Sequence, residues 1–456
     1  MIIKISWLAS LLLVFAECRY EPNWDSLDSR PNPAWYDEAK FGIFIHWGVF
    51  SVPSFGSEWF WNYWHSGSKS YVDFVKSNYR PGWTYADFAK DFTAEFYNAT
   101  QWTELFKDAG AKYIVLVTKH HEGFCNWPTN VSFNWNSKAV GPNRDLVGEL
   151  ANAIRKNSDI HFGIYHSLFE WFNPIYLGDK ARKFQTQEFV NGKTMPELYE
   201  LVNNYKPDII WSDGDGGVTY KYWKSEEFIA WLFNDSPVKD TVLTNDRWGS
   251  GTMCKHGSFL TCADRYVPGK PLKKKWENAM TIDKHSWGYR REAKLEDLLN
   301  MEDIIQLFVK TISLGGNMLM NVGPTHDGRI APIYEERLRD FGQWMKVNQE
   351  GIYGSKIWTS QNDSLTSDVW YTKKNDAVYA FVLKWPNNNQ LALGSVIGRQ
   401  GMTIEMIGYG SLSWKSASRG VIVDMNIPAV KLPCRWAWVL KIKYPRRKIM
   451  KMTVIN

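Results

Sequence analysis

The sequence predicts an α/β fold, an irregular (β/α)8 barrel of the TIM type that is followed by a C-terminal antiparallel β-sandwich. The first observation behind this prediction is a series of eight short apolar runs before residue 325, many of them followed by segments with helical periodicity. The second is a change after about residue 353 to short alternating segments with turn residues between them. A chain of 456 residues is also long enough for one large domain and a smaller one.

Each predicted barrel strand is an apolar run bounded by polar or turn residues. The eight runs are 40–48, 113–121, 161–169, 208–214, 241–249, 259–266, 279–287 and 317–324. Helical periodicity covers 84–92, 100–110, 145–156, 195–205, 225–234 and 302–313. Little room is left for helices between 245 and 287, so we expect the barrel to be irregular there. The predicted domains are a barrel over 19–352 and a sandwich over 353–456, packed together because no linker separates them.

The N-terminus is typical of a secretory signal peptide over residues 1–18. Lys4 precedes an apolar run from Ile5 to Ala16, which is too short to span a bilayer. No later run is long enough for a membrane helix, so we expect a protein of the secretory pathway, lysosomal or extracellular, without membrane insertion. Glycosylation sequons fit this route, and they begin at Asn98, Asn130, Asn234 (weakened by Pro237) and Asn362.

Cysteine spacing predicts one disulfide, formed in an oxidising compartment. Cys254 and Cys262 are eight residues apart across CKHGSFLTC, a spacing that suits a disulfide-closed hairpin; the alternative is a pair of buried free thiols. The same spacing is wrong for a zinc site, and His120 and His121 have no Cys or acidic partners at ligand spacing, so no metal is expected. Although the net charge is +6, the basic residues are scattered, and we expect no nucleic-acid partner.

Polar residues collect where the predicted strands end. The stretch PDIIWSDGDGG at 207–217 runs from a buried strand directly into two acidic residues. Alternation puts Trp211 and Asp213 on one face of that strand, and Asp215 falls in an Asp-Gly turn. Further residues at or just beyond strand ends are His46, His120, His121, Arg247, Asp264 and Trp287. The carboxyl ends of the strands form the face on which barrel enzymes build active sites.

The residue types at this face indicate glycoside hydrolysis. Cleavage of a glycosidic bond needs two carboxyl groups, one acting as acid and the other as nucleophile or base. The 25 Trp residues and the 16% aromatic content suit the apolar faces of sugars, although most of these rings must serve packing. The sequence has no Gly-rich dinucleotide loop, phosphate loop or Ser nucleophile elbow, so no cofactor is expected.

Long motifs take the interpretation further, because they resemble the α-L-fucosidases of glycoside hydrolase family 29, and most closely the animal tissue (lysosomal-type) enzymes. The motifs are FGIFIHWGVFSVPSFGSEW, TKHHEGFCNWP, WNSKAVGPNRDLVGEL, GIYHSLFEW, KTMPELYELVNNYKPDIIWSDG, NDRWG, KWENAMTIDKHSWGYRR and SLGGNMLMNVGPTHDG. The resemblance covers about residues 22 to 445. It implies a retaining enzyme that removes terminal α-L-fucose from glycoproteins, glycolipids and oligosaccharides.

The resemblance also implies a role for each residue of the site. Asp213 corresponds to the nucleophile, and Asp264 to the acid/base; Glu277 is the rival for the second role, unless it is a structural carboxylate. Fucose recognition corresponds to His46, Glu58, Trp59, His120, His121, Tyr165, Trp211, Arg247 and Trp287. His, Glu and Arg can hydrogen-bond the sugar hydroxyls, while aromatic rings can cover the ring and the methyl group.

Two departures from the family pattern leave an alternative open. Where family members read SDGEWE, this chain reads SDGDGG at 212–217, and where they read WNSKDVGP it has Ala139. The first departure affects contacts to the leaving-group sugar, so the alternative is a secreted fucose-binding protein that has lost turnover. The presence of Asp213, Asp264 and Glu277 together favours the enzyme. Fucosylated glycans are the implied partners, and assembly into a homo-oligomer stays open.

Overall fold

A computed structural model of the chain describes residues 19–445, so the predicted signal peptide at 1–18 lies outside the described residues, as do residues 446–456. The predicted fold class is confirmed. A parallel sheet of seven strands curls into a barrel with helices around it, and two antiparallel sheets follow.

Each barrel strand overlaps a predicted apolar run, and five of the six segments with helical periodicity form α-helices, whereas the other six α-helices within residues 19–445 were not predicted. The strands are β1 (Phe41–Ile45), β2 (Tyr113–Lys119), β3 (His161–Ser167), β4 (Ile209–Asp213), β5 (Leu243–Thr244), β6 (Glu277–Thr281) and β7 (Asn317–Val322). The helices are α1 (Trp24–Asp28), α2 (Ala34–Ala39), α3 (Phe60–His65), α4 (Lys69–Asn78), α5 (Ala99–Asp108), α6 (Leu146–Asn157), α7 (Pro174–Ala181), α8 (Met195–Tyr205), α9 (Ser225–Asn234), α10 (Met301–Ser313) and α11 (Pro332–Asn348). Within the predicted segment 84–92, Tyr85–Asp91 forms a 3-10 helix rather than an α-helix.

All barrel strands are parallel, in the order β5-β4-β3-β2-β1-β7-β6. Strands of such a sheet are buried on both faces, which is why β1 and β2 read as continuous apolar runs. The barrel interior holds a cluster of large side chains, among them Phe44, Tyr113, Tyr165 and Trp211. Because all strands point the same way, their carboxyl ends meet at one rim of the barrel.

The prediction of a strand at 259–266 is wrong. Only a short part of it bridges the gap between β5 and β6: Ser258 and Phe259 donate their backbone N–H groups to Thr244, and Leu260 exchanges backbone hydrogen bonds with Lys275 and Glu277. The chain then leaves the sheet, because Cys262 has a φ of 59° and Arg265 a φ of 55°, which no strand allows. The barrel is irregular at this seam, as the sequence led us to expect.

The C-terminal region consists of antiparallel strands. They are β8 (Lys356–Asn362), β9 (Val369–Lys374), β10 (Ala377–Val382), β11 (Gln390–Leu393), β12 (Thr403–Met406), β13 (Gly410–Ser411), β14 (Trp414–Ser416), β15 (Val421–Asp424) and β16 (Trp438–Lys443). One sheet has the order β13-β12-β16-β10-β9-β8, and the other has the order β11-β15-β14. Apolar side chains from both sheets form one buried core between them.

The sandwich packs directly on the barrel. Trp344 of α11 is almost fully buried, donates its indole N–H to the Ala437 carbonyl oxygen at 2.9 Å and lies near Phe381 of β10. The Thr372 hydroxyl of β9 donates to the Gly351 carbonyl oxygen at 2.7 Å. Residues of both regions belong to the same hydrophobic cluster, so the two regions share a core.

Candidate active site

A pocket opens at the rim where the barrel strands end. Its lining is Phe44, His46, Glu58, Trp59, His120, His121, Phe169, Trp211, Asp213, Gly214, Asp215, Gly216, Arg247, Met253, Asp264 and Trp287. The structure therefore brings together two of the three predicted catalytic residues and all but one of the predicted recognition residues. The exception is Tyr165, which lies directly behind the lining and contacts Asp213.

Asp213 is the last residue of β4 and lines the pocket. Its Oδ2 atom accepts a hydrogen bond from the Tyr165 hydroxyl at 2.9 Å, and its Oδ1 atom is 3.4 Å from Arg247 Nη1. Burial raises the pKa of this carboxyl, but Arg247, His121 and the Tyr165 hydrogen bond outweigh burial and leave the pKa below its ordinary value. Asp213 is therefore a carboxylate at neutral pH, the form that a nucleophile requires.

Asp264 faces Asp213 across the guanidinium of Arg247. Arg247 Nη2 donates to Asp264 Oδ1 at 2.6 Å, and the same guanidinium lies 4.7 Å from the centre of the Trp211 ring. The Asp264 side chain is 50% exposed, whereas that of Asp213 is 24% exposed. The more open carboxyl is the one that a leaving group entering from solvent would meet first.

Glu277, the rival for the acid/base role, does not line the pocket. It is the first residue of β6, is completely buried, and its carboxyl accepts hydrogen bonds from the Tyr36 and Tyr113 hydroxyls at 2.8 and 2.7 Å. The Trp211 indole N–H donates to its other oxygen at 3.0 Å. Burial raises the pKa of Glu277 in spite of these donors. Glu277 thus lies beneath Trp211 and supports that ring from inside the barrel.

Three histidines line the pocket, and two of them have strongly perturbed imidazoles. His46 Nδ1 pairs with Asn321 Oδ1 at 2.7 Å, and burial lowers the pKa of His46 to about 3. His121 Nδ1 pairs with the Ser167 hydroxyl at 2.8 Å, its Nε2 atom lies 3.9 Å from Asp213 Oδ2, and burial lowers its pKa well below the ordinary value. Both imidazoles are therefore neutral near pH 6. In the neutral form, each ring can donate one hydrogen bond and accept another.

The two adjacent histidines are held by an ionic cluster under the end of β2. Lys119, which precedes them, is fully buried, and its ammonium lies 3.0 Å from Glu170 Oε1 and 2.7 Å from Glu197 Oε2. Lys193 contacts the same two carboxylates. These contacts join the end of β2 to the loop after β3 and to α8, and so fix the backbone that carries the histidines.

Glu58 and Asn321 hold the loop that carries Trp287. Glu58 Oε2 accepts from the Trp287 backbone N–H at 2.9 Å and from the Ser286 hydroxyl at 3.1 Å. Asn321 donates to the Trp287 carbonyl oxygen at 2.7 Å while its oxygen pairs with His46. The Trp287 ring lies 5.2 Å from the His46 ring, so these contacts place an aromatic face beside a hydrogen-bonding group.

The loop after Asp213 is compact and carries a second acidic residue. Gly214 has a φ of 68°, and a Cβ atom there would lie 2.6 Å from the Ser167 hydroxyl. Asp215 accepts from the Gly217 backbone N–H at 2.9 Å, the turn that the Asp-Gly sequence predicts. Burial raises the pKa of the Asp215 carboxyl. A carboxyl group therefore lines the pocket directly beside the nucleophile candidate.

The predicted covalent modifications fall outside the pocket lining. Cys254 and Cys262 are joined by a disulfide. Asn98 and Asn130 are exposed, whereas the Asn234 amide binds the Tyr20 backbone through both its oxygen and its nitrogen. Asn362 donates both hydrogens of its amide to carbonyl oxygens, those of Ser367 and Val369. Glycosylation of these asparagines stays a prediction, and of the four, only Asn98 and Asn130 have amide nitrogens that donate no hydrogen bond within residues 19–445.

Among the side chains that form or support the pocket and that sequence reasoning missed, four show which signals were available. Phe44 precedes His46 by two residues, so strand alternation could have found it. Asn321 is a polar residue inside an apolar strand, a pattern that was a usable signal. Phe169 and Met253 lie in irregular loops, where nothing in their spacing indicates which way they face.

Metal binding and membrane insertion depend on features that are visible in residues 19–445. In that range no group of three His, Cys, Asp or Glu side chains is arranged to hold a metal ion. None of the helices in the same range is both long and apolar enough to cross a bilayer.

The chain is similar to known proteins over almost its whole length. A family model described as α-L-fucosidase matches residues 8–350, and one for the α-L-fucosidase C-terminal domain matches residues 361–443. The α-L-fucosidase of Branchiostoma floridae is 59% identical over 96% of this chain and 98% of that protein. The plasma α-L-fucosidase of Homo sapiens is 55% identical and the tissue α-L-fucosidase 54% identical, each over 93% of this chain and 92% of the relative. The structure of Thermotoga maritima α-fucosidase with a mechanism-based inhibitor has a TM-score of 0.81 and 32% identity, covering 93% of this chain and 100% of that one.

Proposed function

Since this chain belongs to the α-L-fucosidase family and is a glycoside hydrolase, we propose that it hydrolyses terminal α-L-fucosides by two displacements with net retention. The observation that carries this proposal is the pair of carboxylates on one guanidinium, with Asp213 ionised and less exposed and Asp264 more exposed. Retaining hydrolysis needs one carboxylate as nucleophile and a second carboxyl as acid and then base.

In the first step, Asp213 attacks the anomeric carbon of the fucosyl residue. The bond to the leaving oxygen breaks as the bond to the carboxylate forms, which gives a covalent fucosyl-enzyme. The Tyr165 hydroxyl and Arg247 hold the Asp213 carboxylate in position. They are the groups beside it when its negative charge is lost to the new bond. An inhibitor described as mechanism-based binds the Thermotoga maritima enzyme, which supports a covalent route in a relative.

Asp264 supplies the proton in the first step and removes one in the second. As an acid it protonates the departing glycosidic oxygen, and as a base it takes a proton from the water that opens the fucosyl-enzyme. Its position at the open side of the pocket supports this role. Because Glu277 lies behind Trp211, its position does not support a direct part in proton transfer.

The lining suits a 6-deoxy sugar. His46, His120, His121, Glu58 and Arg247 offer hydrogen-bonding groups for its three hydroxyls, while Trp211 and Trp287 offer faces to its ring and methyl group. We propose terminal fucose on glycoproteins, glycolipids and oligosaccharides as the substrates. The names of the plasma and tissue relatives support a secreted or lysosomal enzyme.

The first experiment tests the nucleophile. Asp213→Gly and Asp213→Asn should abolish hydrolysis of 4-nitrophenyl α-L-fucoside while folding and fucose binding stay largely intact, because only the covalent step needs that oxygen. A glycine variant at an aspartate of the Thermotoga maritima relative is described as an α-L-fucosynthase. Near-normal hydrolysis by either variant would remove Asp213 from the mechanism. Fucose binding without any hydrolysis by the unaltered protein would favour the fucose-binding alternative.

The second experiment tests the acid/base. Asp264→Ala should lose most activity on a natural fucosyl oligosaccharide and much less on an activated aryl fucoside, whose leaving group departs without a proton. Added azide should restore turnover and give α-fucosyl azide, because the anion attacks the β-linked covalent intermediate from the opposite face without needing a base. Equal losses on both substrates together with no rescue would contradict the assignment of Asp264.

A further inference from the structure

Asp246 is a fully buried carboxylate that does not line the pocket. It follows β5, and its Oδ2 atom accepts hydrogen bonds from the backbone N–H groups of both disulfide cysteines, Cys254 at 2.7 Å and Cys262 at 3.1 Å. Both cysteines have positive φ values, 61° and 59°, which direct their amides toward this one carboxylate. The loop from 254 to 262 is therefore built around the Asp246 side chain.

The other oxygen of Asp246 connects to the pocket through a single hydroxyl. Thr261 is fully buried and donates to Asp246 Oδ1 at 2.6 Å, while its oxygen accepts from Arg247 Nε at 3.0 Å. A hydroxyl has one hydrogen and an arginine can only donate, so the direction of both bonds is fixed. Asp246 orients Thr261, and Thr261 orients Arg247.

This relay completes the contacts of the Arg247 guanidinium. Nε faces Thr261, Nη1 faces Asp213, Nη2 faces Asp264, and the plane of the group lies over Trp211. Without an acceptor at Nε, the planar group would be free to rotate and to present different nitrogens to the two carboxylates. Of these two contacts, the one to Asp264 is shorter, 2.6 Å against 3.4 Å.

We propose that Asp246 and Thr261 are positioning residues for the hydrolysis: they hold Arg247 so that it presents Nη2 to Asp264. Neither residue contacts the space that a sugar would fill, so they act through Arg247. The disulfide contributes to this positioning, because it holds both cysteine N–H groups within hydrogen-bonding distance of Asp246. This inference rests on the proposed roles of Asp213 and Asp264.

A matched pair of variants tests the hydroxyl. Thr261→Val keeps the shape of the side chain and removes the hydroxyl, whereas Thr261→Ser keeps the hydroxyl. For Thr261→Val we expect kcat/KM on a natural fucosyl oligosaccharide to fall roughly ten- to a hundredfold, the effect of losing a buried hydrogen bond to a charged group. On an activated aryl fucoside the loss should be smaller, because that leaving group needs little help from Asp264. Thr261→Ser should stay close to the unaltered enzyme on both substrates.

Thr103→Val is the control for a purely structural effect. Thr103 is also fully buried, and its hydroxyl donates only to the Ala99 carbonyl oxygen within α5. This variant should lower the melting temperature without changing the ratio of activities on the two substrates. Asp246→Asn should reproduce the Thr261→Val ratio if it folds.

Three results would overturn the inference. They are equal activities of the Val and Ser variants at 261, an equal loss by Thr261→Val on both substrates, and a changed substrate ratio in the Thr103 control. The unaltered enzyme and Asp213→Gly are measured in the same series, and only these two report on the proposed function. A failure of the positioning role is therefore distinguishable from a failure of the fucosidase mechanism.

Discussion

Asp213, Asp264 and Glu277 all carry a carboxyl group, so the sequence alone does not distinguish them, but their surroundings in the structure are different. Asp213 is partly exposed beside a cation, Asp264 is half exposed beside the same cation, and Glu277 is enclosed by two tyrosines and a tryptophan. Strand ends predicted that the first two would meet at one rim. The position of Glu277 depends on which face of β6 its first residue occupies, and the KWENA motif does not indicate that face.

Replacement of Glu277 should separate a supporting carboxylate from a catalytic one. In Glu277→Ala, the Trp211 indole and two tyrosine hydroxyls lose their acceptor inside the barrel, which should cost about 1 to 3 kcal/mol for each donor left unpaired. We expect a lower melting temperature and similar losses of kcat/KM on natural and activated fucosides. Azide rescue of this variant, together with no rescue of Asp264→Ala, would show that the proton belongs to Glu277.

At the scale of elements, the segment 259–266 shows where prediction from sequence stops. Phe259 and Leu260 are apolar, and they do contribute to the barrel wall, as the pattern predicts. The Cys262 amide then binds Asp246 instead of a neighbouring strand, a contact between positions 16 residues apart that no periodicity reveals. Strands such as β1 and β2 were predictable because their burial on both faces is written into their composition.

The bridge between Cys254 and Cys262 can be tested by mass spectrometry and by thiol labelling. If Cys254 and Cys262 are bridged, the unreduced protein should be lighter by two hydrogens than the reduced protein, and the loss should map to one pair of linked peptides. After unfolding without a reductant, alkylation should label Cys125 and Cys434, which are free thiols in the structure, and neither Cys254 nor Cys262. Labelling of all four without reduction would sink the assignment.

At the scale of the whole molecule, the barrel and the sandwich should unfold together, because Trp344 and its neighbours belong to a core that both share. Cooperative unfolding makes the dependence of stability on pH a property of the entire chain.

Burial lowers the pKa of His46 to about 3 and that of His166 to about 4, from about 6.5 in an unfolded chain. Because the unfolded chain binds these protons first, stability is complete above pH ~6.5 and declines as the pH falls toward the folded-state values.

The expected decline is about 1.4 kcal/mol per pH unit for each such imidazole over that window. Urea unfolding at a series of pH values between 7 and 4.5 measures it. His166→Gln should reduce the slope, since it removes one buried imidazole away from the pocket. His285→Gln is the matched control, because the His285 side chain is 58% exposed. An unchanged slope in His166→Gln would contradict the prediction.

The irregular seam between β5 and β6 should determine which activity the enzyme loses first when it is inactivated by heat. Asp213 belongs to β4, which is hydrogen-bonded to a strand on each side. Asp264 lies in a segment that is joined to the sheet only by an isolated β-bridge at Leu260 and not by a continuous β-ladder. Gentle heating should therefore loosen Asp264, the proposed proton donor, before it loosens Asp213, the proposed nucleophile. An enzyme aged near its melting temperature should first lose the ability to trim natural glycans while still cleaving a synthetic aryl fucoside, and the two inactivation half-lives should differ in that order.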